Sequence, residues 1–540
     1  MKKKLTQAIQ AILLIIFFGC TSTKETDKLG SVYFDVTGSK EAVKYFEEGL
    51  LLLHSFEFDD AATAFVNAQQ TDSTMAMAYW GEAMTYNHPL WAEQSYDEAI
   101  VALNKLDESP EGRIEKSATP LEKDFMTAVN ILYGEGTKYD RDVAYSKFME
   151  RVYNKYPKSQ EAAAFYALSL LGSVPVGRDD ATYEKGAIIA KGILDENPNH
   201  PGALHYLIHS YDDPKHASAA VEAANRYMKV ASAAGHALHM PSHIYVAMGM
   251  WDDVVRSNEL SYQASVDRMK EKNLDNDARG YHALQWLHYG YLQQGRYDDA
   301  KKIVGEMEQY TKELPSSRAR YHMSVIKAAY MVETNDWNGE ASQIEVDHTG
   351  LNISTRATDY FIKGMMAYQT QNKELLKSTI DELEKEILSV SIQLENKGIA
   401  LCSGGANRST ANQLDVDQAK VMQMELQGLM SDLDGDKNSA DSWLKKSTEL
   451  EKRISYSYGP PSVVKPSFEL YAEWLLRQNR TEEALSQFEY SLQRAPKRIL
   501  SLQGKLQAAK LLENEEMQME TQKLLDEIFK NSSKLATSGI

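Results

Sequence analysis

The chain has 540 residues, of which 43% are hydrophobic and 25% are charged, a balance that is typical of a folded globular protein and excludes a disordered chain. Acidic residues outnumber basic ones by 77 to 59, which gives a formal net charge of −18, so we expect no nucleic-acid partner. The two cysteines, Cys20 and Cys402, lie too far apart in sequence to indicate a metal knuckle, a redox pair or a disulfide framework.

The N-terminus has the order of features found in an export signal. Lys2, Lys3 and Lys4 precede an apolar stretch from residue 8 to residue 18 that is too short to span a bilayer. Gly19-Cys20 follows and resembles a bacterial lipoprotein cleavage site, in which Cys20 would carry the lipid. A simple cleaved signal or anchor is the alternative. We therefore expect a signal peptide at 1–19, a polar tether at 20–38 and a lipid-anchored protein of the bacterial cell envelope, either facing the periplasm or exposed at the surface.

Helical segments between residues 40 and 515 share a repeated pattern, in which a short turn precedes an acidic pair and then Ala or Val. The pattern occurs at Phe56–Ala61, Gly249–Val254, Gly295–Ala300 and Asn479–Ala484. Helical units that start at Ala42 and Ala76 are 34 residues apart, as are units that start at Pro201 and Gly235. A fixed period of this length predicts an array of repeated supersecondary units.

The 34-residue unit resembles the tetratricopeptide repeat (TPR), a helix-turn-helix unit with small residues where its two helices cross. The unit that begins at Lys465 carries the family's aromatic and small residues, including Tyr471, Ala472 and Ala484. Further units begin near Tyr281, Tyr321 and Val421, with weaker helical pairs around Ala162 and Ala357. The resemblance implies an all-α fold, a right-handed α-α superhelix of helix pairs.

The sequence also resembles uncharacterised bacterial TPR lipoproteins with His-rich repeats, on the stretch Met77–Gly81 and on the histidine segments described next. That resemblance implies a shared architecture and supplies no activity. We predict an N-terminal TPR-like block at 39–401, a Gly/Ser/Asn loop at 402–412, a C-terminal TPR-like block at 413–515, and a terminal helix and tail at 516–540.

Nine of the 13 histidines fall at repeat positions that, in the TPR resemblance, line the concave face of the superhelix. They are His54, His88, His205, His209, His236, His239, His243, His282 and His322. His205 and His209 are four residues apart and lie on one side of a helix, as are His239 and His243 one repeat later. Because the two pairs occupy equal repeat positions, we expect them to lie side by side.

Paired imidazoles on adjacent helices can complete the coordination shell of zinc, copper or nickel. The tentative ligands are His205, His209, His239 and His243, and Asp212 or Asp213 could orient an imidazole or act as a base. The segment lacks the Glu of a His-Glu-x-x-His motif. Two other interpretations stay open: histidines that hydrogen-bond across packed helices or line a polar groove, and a pH-responsive groove.

The first functional hypothesis is a cell-envelope binding or scaffold module, which holds a peptide, protein or small ligand in a concave groove lined by His and aromatic residues. The alternative is a metal-binding protein or metalloenzyme with Zn or Cu. Whether the chain is an enzyme stays open, and a protein or peptide partner is expected. The groove or metal candidates are His205, His209, His236, His239, His243, Asp212 and Asp213, with His54, His88, His282 and His322 as outer groove candidates.

Overall fold

The computed structural model describes residues 28–175, 177–397 and 411–535. Within these ranges the chain forms 25 α-helices and one two-stranded hairpin. The helices are α1 (Lys40–His54), α2 (Phe58–Thr71), α3 (Ala76–Met84), α4 (Tyr96–Asn104), α5 (Pro110–Lys116), α6 (Pro120–Leu132), α7 (Lys138–Lys155), α8 (Gln160–Gly172), α9 (Asp180–Glu196), α10 (Pro201–Ser210), α11 (Val221–Val230), α12 (Gly235–His239), α13 (Pro241–Met248), α14 (Trp251–Glu271), α15 (Tyr281–Gln293), α16 (Tyr297–Glu313), α17 (Ser317–Thr334), α18 (Ile353–Gln369), α19 (Lys373–Lys397), α20 (Gln413–Leu433), α21 (Lys437–Arg453), α22 (Ser467–Arg477), α23 (Thr481–Arg494), α24 (Ile499–Leu511) and α25 (Glu515–Leu535). The strands are β1 (Asn87–His88) and β2 (Glu93–Gln94), which pair antiparallel.

Most of these helices pack against their neighbours in sequence, among them α1 with α2, α8 with α9, α15 with α16, α20 with α21 and α22 with α23. Short connections between helices favour such packing because each helix can bury its apolar face only against a neighbour. The all-α class and the TPR-like helix pairs predicted from the sequence are therefore confirmed.

The turn between the two helices of a unit uses the same left-handed backbone position in each repeat that carries the acidic-pair pattern. Phe56, Gly249, Gly295 and Asn479 have φ angles of 56°, 63°, 70° and 59°. Glycine and asparagine adopt this conformation at little cost, whereas a residue with a bulky side chain does so only under constraint. Phe56 is thus the unusual residue of the four.

Two units depart from the regular pair. After α3, the hairpin of β1 and β2 and a short 3-10 turn at Pro89–Trp91 precede α4. His88, which the repeat count places on a first helix, lies instead in β1. After α17, residues 335–352 contain only a short 3-10 helix, Glu340–Gln343, so the unit near Tyr321 has no second α-helix.

The array closes on itself. Buried side chains of α24 and α25 pack in one hydrophobic cluster with those of α10 to α15, and Leu29 joins the same cluster. The indole Nε1 of Trp251 donates to the backbone oxygen of Lys497 at 3.1 Å. The C-terminal helices therefore return to the middle of the chain, and the first helices of the central units face a common interior.

No helix in the described part of the chain is both long and apolar enough to cross a membrane. The predicted signal peptide, Cys20 and Cys402 fall outside the described residues, as does most of the predicted 402–412 loop. Another large hydrophobic cluster contains side chains from Val255 to Phe488, so its members come from both sides of that loop. The proposed division into two blocks stays a prediction.

Candidate functional site

Helices α10, α12, α13 and α15 direct histidines into the interior of the array. Pro201 and Pro241 stand at the first turns of α10 and α13, where a proline costs no helical hydrogen bond. His209, His236, His243 and His282 line a chamber of about 840 Å³. Residues 455–464, which we call the strap, connect α21 to α22 and line one side of this chamber.

The first histidine set consists of His205, His209 and His236. One ring nitrogen from each of the three lies within 4.8 Å of the others. The ring centroids of His205 and His209 are 5.0 Å apart, and those of His205 and His236 are 5.1 Å apart. Nitrogens bound to one tetrahedral zinc ion at about 2.1 Å are about 3.4 Å apart, so nitrogens at the 4.8 Å limit would have to approach each other by about 1.4 Å.

The second histidine set consists of His239, His243 and His282, with the same 4.8 Å limit on its ring nitrogens. The ring centroid of His239 lies 5.2 Å from that of His243 and 4.6 Å from that of His282. The two sets adjoin each other, since the rings of His209 and His243 are 5.2 Å apart. The sequence predicted one site with His205, His209, His239 and His243 as ligands, whereas the structure divides these four between two sets, each with a third histidine.

Four of the six rings have their Nδ1 atom fixed by a hydrogen-bond acceptor. His205 Nδ1 lies 2.7 Å from the backbone oxygen of His54, and His239 Nδ1 lies 2.7 Å from Asn258 Oδ1. His209 and His243 share Asp212, whose Oδ2 is 3.1 Å from one Nδ1 and 3.2 Å from the other. The Asn258 amide is oriented in turn by its donation to Val254 O at 2.8 Å. Acceptors at Nδ1 place the proton there, which leaves Nε2 as a lone-pair donor.

The opposite nitrogens are the unusual feature of the site. Nε2 of His205, His236 and His239 is buried and has no hydrogen-bond partner among the described residues. Buried polar atoms normally find a partner because their desolvation is costly. Three such atoms in two adjoining sets indicate a position for an electrophile, and a metal ion is the usual partner of a neutral imidazole.

The electrostatics keep the rings neutral. Burial, and then the neighbouring His209, lower the pKa of His205 well below its ordinary value. Burial and His243 lower the pKa of His239 to about 3. The pKa of His243 is lowered mainly by burial, against the opposing hydrogen bond to Asp212. A metal ligand must be deprotonated, and these rings already are at neutral pH.

Three aromatic side chains enclose the two sets. Phe56 contacts all of the first set, with its centroid 4.3 Å from that of His205 and 5.6 Å from that of His236. Trp286 contacts all of the second set, with centroid distances of 4.8 Å to His239, 4.6 Å to His243 and 5.5 Å to His282. Tyr458 of the strap lies over the junction, 6.3 Å from His209 and 6.1 Å from His243. The left-handed backbone at Phe56 therefore positions a ring against the histidines.

The other predicted site residues have different surroundings. His54 is fully buried between Glu161 Oε2, at 2.7 Å, and the hydroxyl of Tyr206, at 2.8 Å. Because both of its ring nitrogens are bonded, His54 stabilises helix packing. Asp213 bonds to His216 Nδ1 at 2.7 Å and pairs with Arg178, so it lies behind the site.

The remaining outer candidates, His88 and His322, both line the chamber. His88 stacks on Phe58 at a centroid distance of 4.1 Å, while His322 follows the second set, 6.5 Å from His282. The sequence did not predict Phe56, Asn258 or Tyr458 as site residues. Phe56 had a detectable signal, because it stands at a turn position where other units have Gly or Asn.

The comparisons with known proteins give little further information. No protein-family model matches the chain, and no curated protein matches it. Among solved structures, the chain is similar to yeast Tom70, with 12% identity, coverage of 89% of this chain and 90% of the other, and a TM-score of 0.32. It is similar to a human IFIT1 dimer with m7Gppp-AAAA at 12% identity, 93% and 98% coverage and a TM-score of 0.35. It is similar to the TPR domain of P58(IPK) at 12% identity, with coverage of 88% of this chain and 98% of the other and a TM-score of 0.21. TM-scores this low carry no inference about ligands or activity.

Proposed function

We propose that the chain is a metal-binding protein that holds two transition-metal ions, zinc or copper, one in each histidine set. The observation that supports this proposal is the convergence of ring nitrogens that have no other partner. In each set one ring nitrogen from each of three histidines lies within 4.8 Å of the others. Acceptors hold the Nδ1 atoms of His205 and His239, and Nε2 of His205 and His236 in the first set and of His239 in the second has no partner among the described residues. Imidazole ligands suit zinc and copper, and such outer hydrogen bonds are typical of bound metal.

Three nitrogen ligands leave each ion with an open coordination position. Structural zinc sites are usually closed by four protein ligands, whereas sites with three keep a place for water or another small ligand. The open positions would adjoin the chamber of about 840 Å³. The arrangement therefore favours a site where a ligand reaches the metal over a site that only holds the fold together.

The contrasting cluster of His54, Glu161 and His200 does not support a metal in the same way. Its atoms also lie within 4.8 Å of one another. However, the two carboxylate oxygens of Glu161 bond His54 Nε2 at 2.7 Å and His200 Nε2 at 3.1 Å, and His200 Nδ1 accepts from Ala203 N. Every ring nitrogen of this cluster has a protein partner, so we assign it to helix packing.

The test is the metal content of the chain made without a metal-affinity tag, after chelation and reloading with zinc or copper and removal of excess ion. We expect about two equivalents in the parent, about one in His205→Ala and in His239→Ala, and none in the double variant. His348→Ala is the matched control because His348 lies outside both sets and bonds to Ser324 Oγ at 3.1 Å.

Circular dichroism of each variant shows whether the helices are retained. A parent that retains no ion after reloading contradicts the proposal, as does a loss in His348→Ala equal to that in His205→Ala.

A second function is favoured by the chamber itself. Its volume of about 840 Å³ lies in the range of organic-ligand sites, and aromatic side chains from α15, α17 and the strap line it. This supports the sequence-based expectation of a ligand held in an interior groove. Ligand-observed NMR with a library of small organic molecules tests it, and binding that survives Trp286→Ala and Tyr458→Ala together would exclude the chamber.

We also propose that a lipid on Cys20 tethers the chain to the cell envelope. This rests on the order of charged, apolar and small residues before Cys20. Cys20→Ala should move the chain from the membrane fraction to the soluble fraction and block processing of the precursor. An unchanged distribution and precursor size would contradict the tether.

A further inference from the structure

A cationic side chain without a carboxylate partner lies on the wall of the chamber. Arg318, near the start of α17, lines the chamber together with Arg268. Arg268 is fully engaged, because its guanidinium forms two hydrogen bonds with Asp60, at 2.9 and 2.6 Å. Arg318 has no carboxylate within 4.0 Å among the described residues. Its Nη2 donates to the backbone oxygen of Arg279 at 3.2 Å.

The surroundings of Arg318 make an unpaired charge costly. Burial lowers the pKa of its guanidinium, and its Nε atom is buried without a partner among the described residues. A guanidinium presents five donors in a planar fork that matches a carboxylate in a bidentate pair. The guanidinium lies on the chamber wall with a backbone oxygen as its acceptor. The anionic group of a ligand would accept hydrogen bonds from its remaining donors.

The path from Arg318 to the second histidine set is lined by rings. His322 lies one turn along α17, and its Nδ1 is 2.9 Å from the backbone oxygen of Arg318. The ring centroid of His322 lies 6.5 Å from that of His282, and the centroid of His282 lies 5.5 Å from that of Trp286. Tyr321 packs edge-on against His322, with centroids 4.8 Å apart. A ligand anchored at Arg318 therefore extends along an aromatic wall toward His282.

We infer that the chamber binds an aromatic carboxylate, whose carboxylate pairs with Arg318 and whose ring lies along Trp286 and Tyr321 toward the second histidine set. Aromatic walls bind planar apolar ligands, and a few charged groups fix their orientation. The inference rests on the proposed function where it places the ligand beside a metal ion. The pairing with Arg318 needs no metal and is tested separately.

The experiment measures the affinity of the full chain for benzoate, for 3-phenylpropionate and for the neutral benzamide, by isothermal titration or ligand-observed NMR. Each titration is done once with metal removed by chelation and once after reloading with zinc. We expect the carboxylates to bind at least about tenfold more tightly than benzamide, since a charge-assisted bidentate pair exceeds about 1.4 kcal/mol.

The variants separate the guanidinium from its neighbours. Arg318→Met should weaken carboxylate binding at least about tenfold and leave benzamide unchanged, whereas Arg318→Lys should keep part of the effect because the charge stays and the planar fork is lost. Arg320→Met is the matched control, since Arg320 lies on the same helix and donates to the backbone oxygens of Asp347 and Thr349. It should bind all three probes as the parent does.

Three results would overturn the inference: equal affinity for benzoate and benzamide, unchanged benzoate binding in Arg318→Met, or no binding of either carboxylate. Metal content is measured on the same samples, so a failure of the metal proposal is seen as absent metal with carboxylate binding retained.

A dipeptide with a C-terminal phenylalanine, as free acid and as amide, distinguishes a peptide C-terminus from a free acid as the source of the carboxylate. Tighter binding of the free-acid dipeptide than of 3-phenylpropionate would assign the site to peptide ends, and the reverse would assign it to small acids.

Discussion

The two nitrogens of each ring in the histidine sets have separate roles, and this asymmetry comes from residues behind the rings. Asp212 is the clearest case, because a single carboxylate oxygen accepts from His209 of the first set and His243 of the second. Asp212 is fully buried and also pairs with Arg178 at 3.5 Å. One side chain thus orients a ligand in each set.

Asp212→Asn should weaken metal binding at both sets, by roughly 10- to 100-fold, because the neutral amide is a poorer acceptor for the two Nδ1 protons than the carboxylate. The measurement is a competition titration against a chelator of known affinity. Asp213→Asn is the control, since Asp213 bonds to His216 behind the site. A loss confined to one set, or equal losses in the two variants, would contradict the shared role.

His288 gives a prediction about pH. It is fully buried, neither ring nitrogen has a partner among the described residues, and burial lowers its pKa to about 3. Between the unfolded value of about 6.5 and that folded value, the unfolded chain takes up a proton that the folded chain refuses. Stability is therefore lost as the pH falls below about 6.5 and is unaffected by His288 above that.

His288→Leu should raise the midpoint of unfolding at pH 7, since two unsatisfied nitrogens are removed. It should also make the unfolding free energy less dependent on pH between pH 6 and pH 4. The change in slope should correspond to about one proton fewer taken up on unfolding. Urea unfolding at several pH values in the presence of a chelator measures both effects. Identical slopes in parent and variant would show that His288 does not contribute.

At the scale of residues, the sequence predicted that the two helical histidine pairs lie close together, because equal repeat positions 34 residues apart are neighbours in space. The structure places His209 beside His243, at 5.2 Å, but His205 lies beside His236, at 5.1 Å, rather than beside His239. The sequence could not predict the Nδ1 acceptors, since Asn258 comes from a second helix and the acceptor for His205 is a backbone oxygen. It also missed Arg318, whose lack of a carboxylate partner among the described residues is a property of the folded interior.

The strap packs tightly against the second histidine set at Gly459. Gly459 has a φ of +97°, and a Cβ at this position would lie 2.1 Å from Cζ2 of Trp286. Trp286 in turn stacks on His243 with centroids 4.6 Å apart. The strap therefore approaches the second histidine set as closely as a chain without a side chain allows.

Gly459→Ala should displace the strap or Trp286 and so speed the release of metal to a chelator by several-fold, with the release rate followed by an indicator dye. Gly435→Ala is the control, because Gly435 has a similar φ of +79° and a Cβ there would meet no atom of the described residues within 4 Å. The Gly435→Ala variant has similar backbone strain but no contact like that with Trp286. Equal release rates in the two variants would mean that the strap does not restrict access.

The sequence predicted the regular helix pairs well, since caps, turns and apolar periodicity all recur with the repeat. Its errors occurred where the chain leaves the repeat. The hairpin of β1 and β2 holds only two residues per strand, too few to give an alternating pattern. The long connection after α17 likewise has no periodic signal, so the missing second helix of that unit could not be recognised.

For the whole molecule, the contact that joins distant units is centred on Arg498, which is fully buried. Its Nε and Nη2 bond the two oxygens of Glu469 at 2.8 and 3.0 Å, and its Nη1 contacts Glu333 and, at 3.0 Å, the hydroxyl of Tyr289. Burial alone would raise the pKa of Glu469, but Arg498 and Lys465 hold it at about 2. Helices α15, α17, α22 and the start of α24 thus share one ionic network.

Arg498→Met should destabilise the chain by about 3–5 kcal/mol, because it removes the cationic partner of the buried Glu333 and leaves the buried Glu469 with Lys465 alone. Thermal unfolding followed by circular dichroism measures the loss. Arg480→Met is the control, since Arg480 is about a third exposed and pairs with Glu483 and Asp441 at the surface, where loss of an ion pair costs less than about 1 kcal/mol. Equal destabilisation by the two substitutions would show that the buried network contributes no more to stability than a surface ion pair.

At this scale the sequence predicted an open array of repeats and could not predict its closure. The cluster that joins α24 and α25 to α10 through α15 depends on the cumulative rotation of many units. No local pattern encodes that sum. The chamber, which the strap lines on one side, was therefore predicted only as a generic concave groove.

The position of the strap in the chain also fixes the order in which the site is built. Both histidine sets are complete once His282 has been made, whereas the strap begins 173 residues later, at residue 455. Synthesis at about 5–20 residues per second takes roughly 9–35 s to cover that interval. A nascent chain that emerges N-terminus first thus presents both histidine sets before the strap exists, and the strap is added to a part of the chain that has already been made.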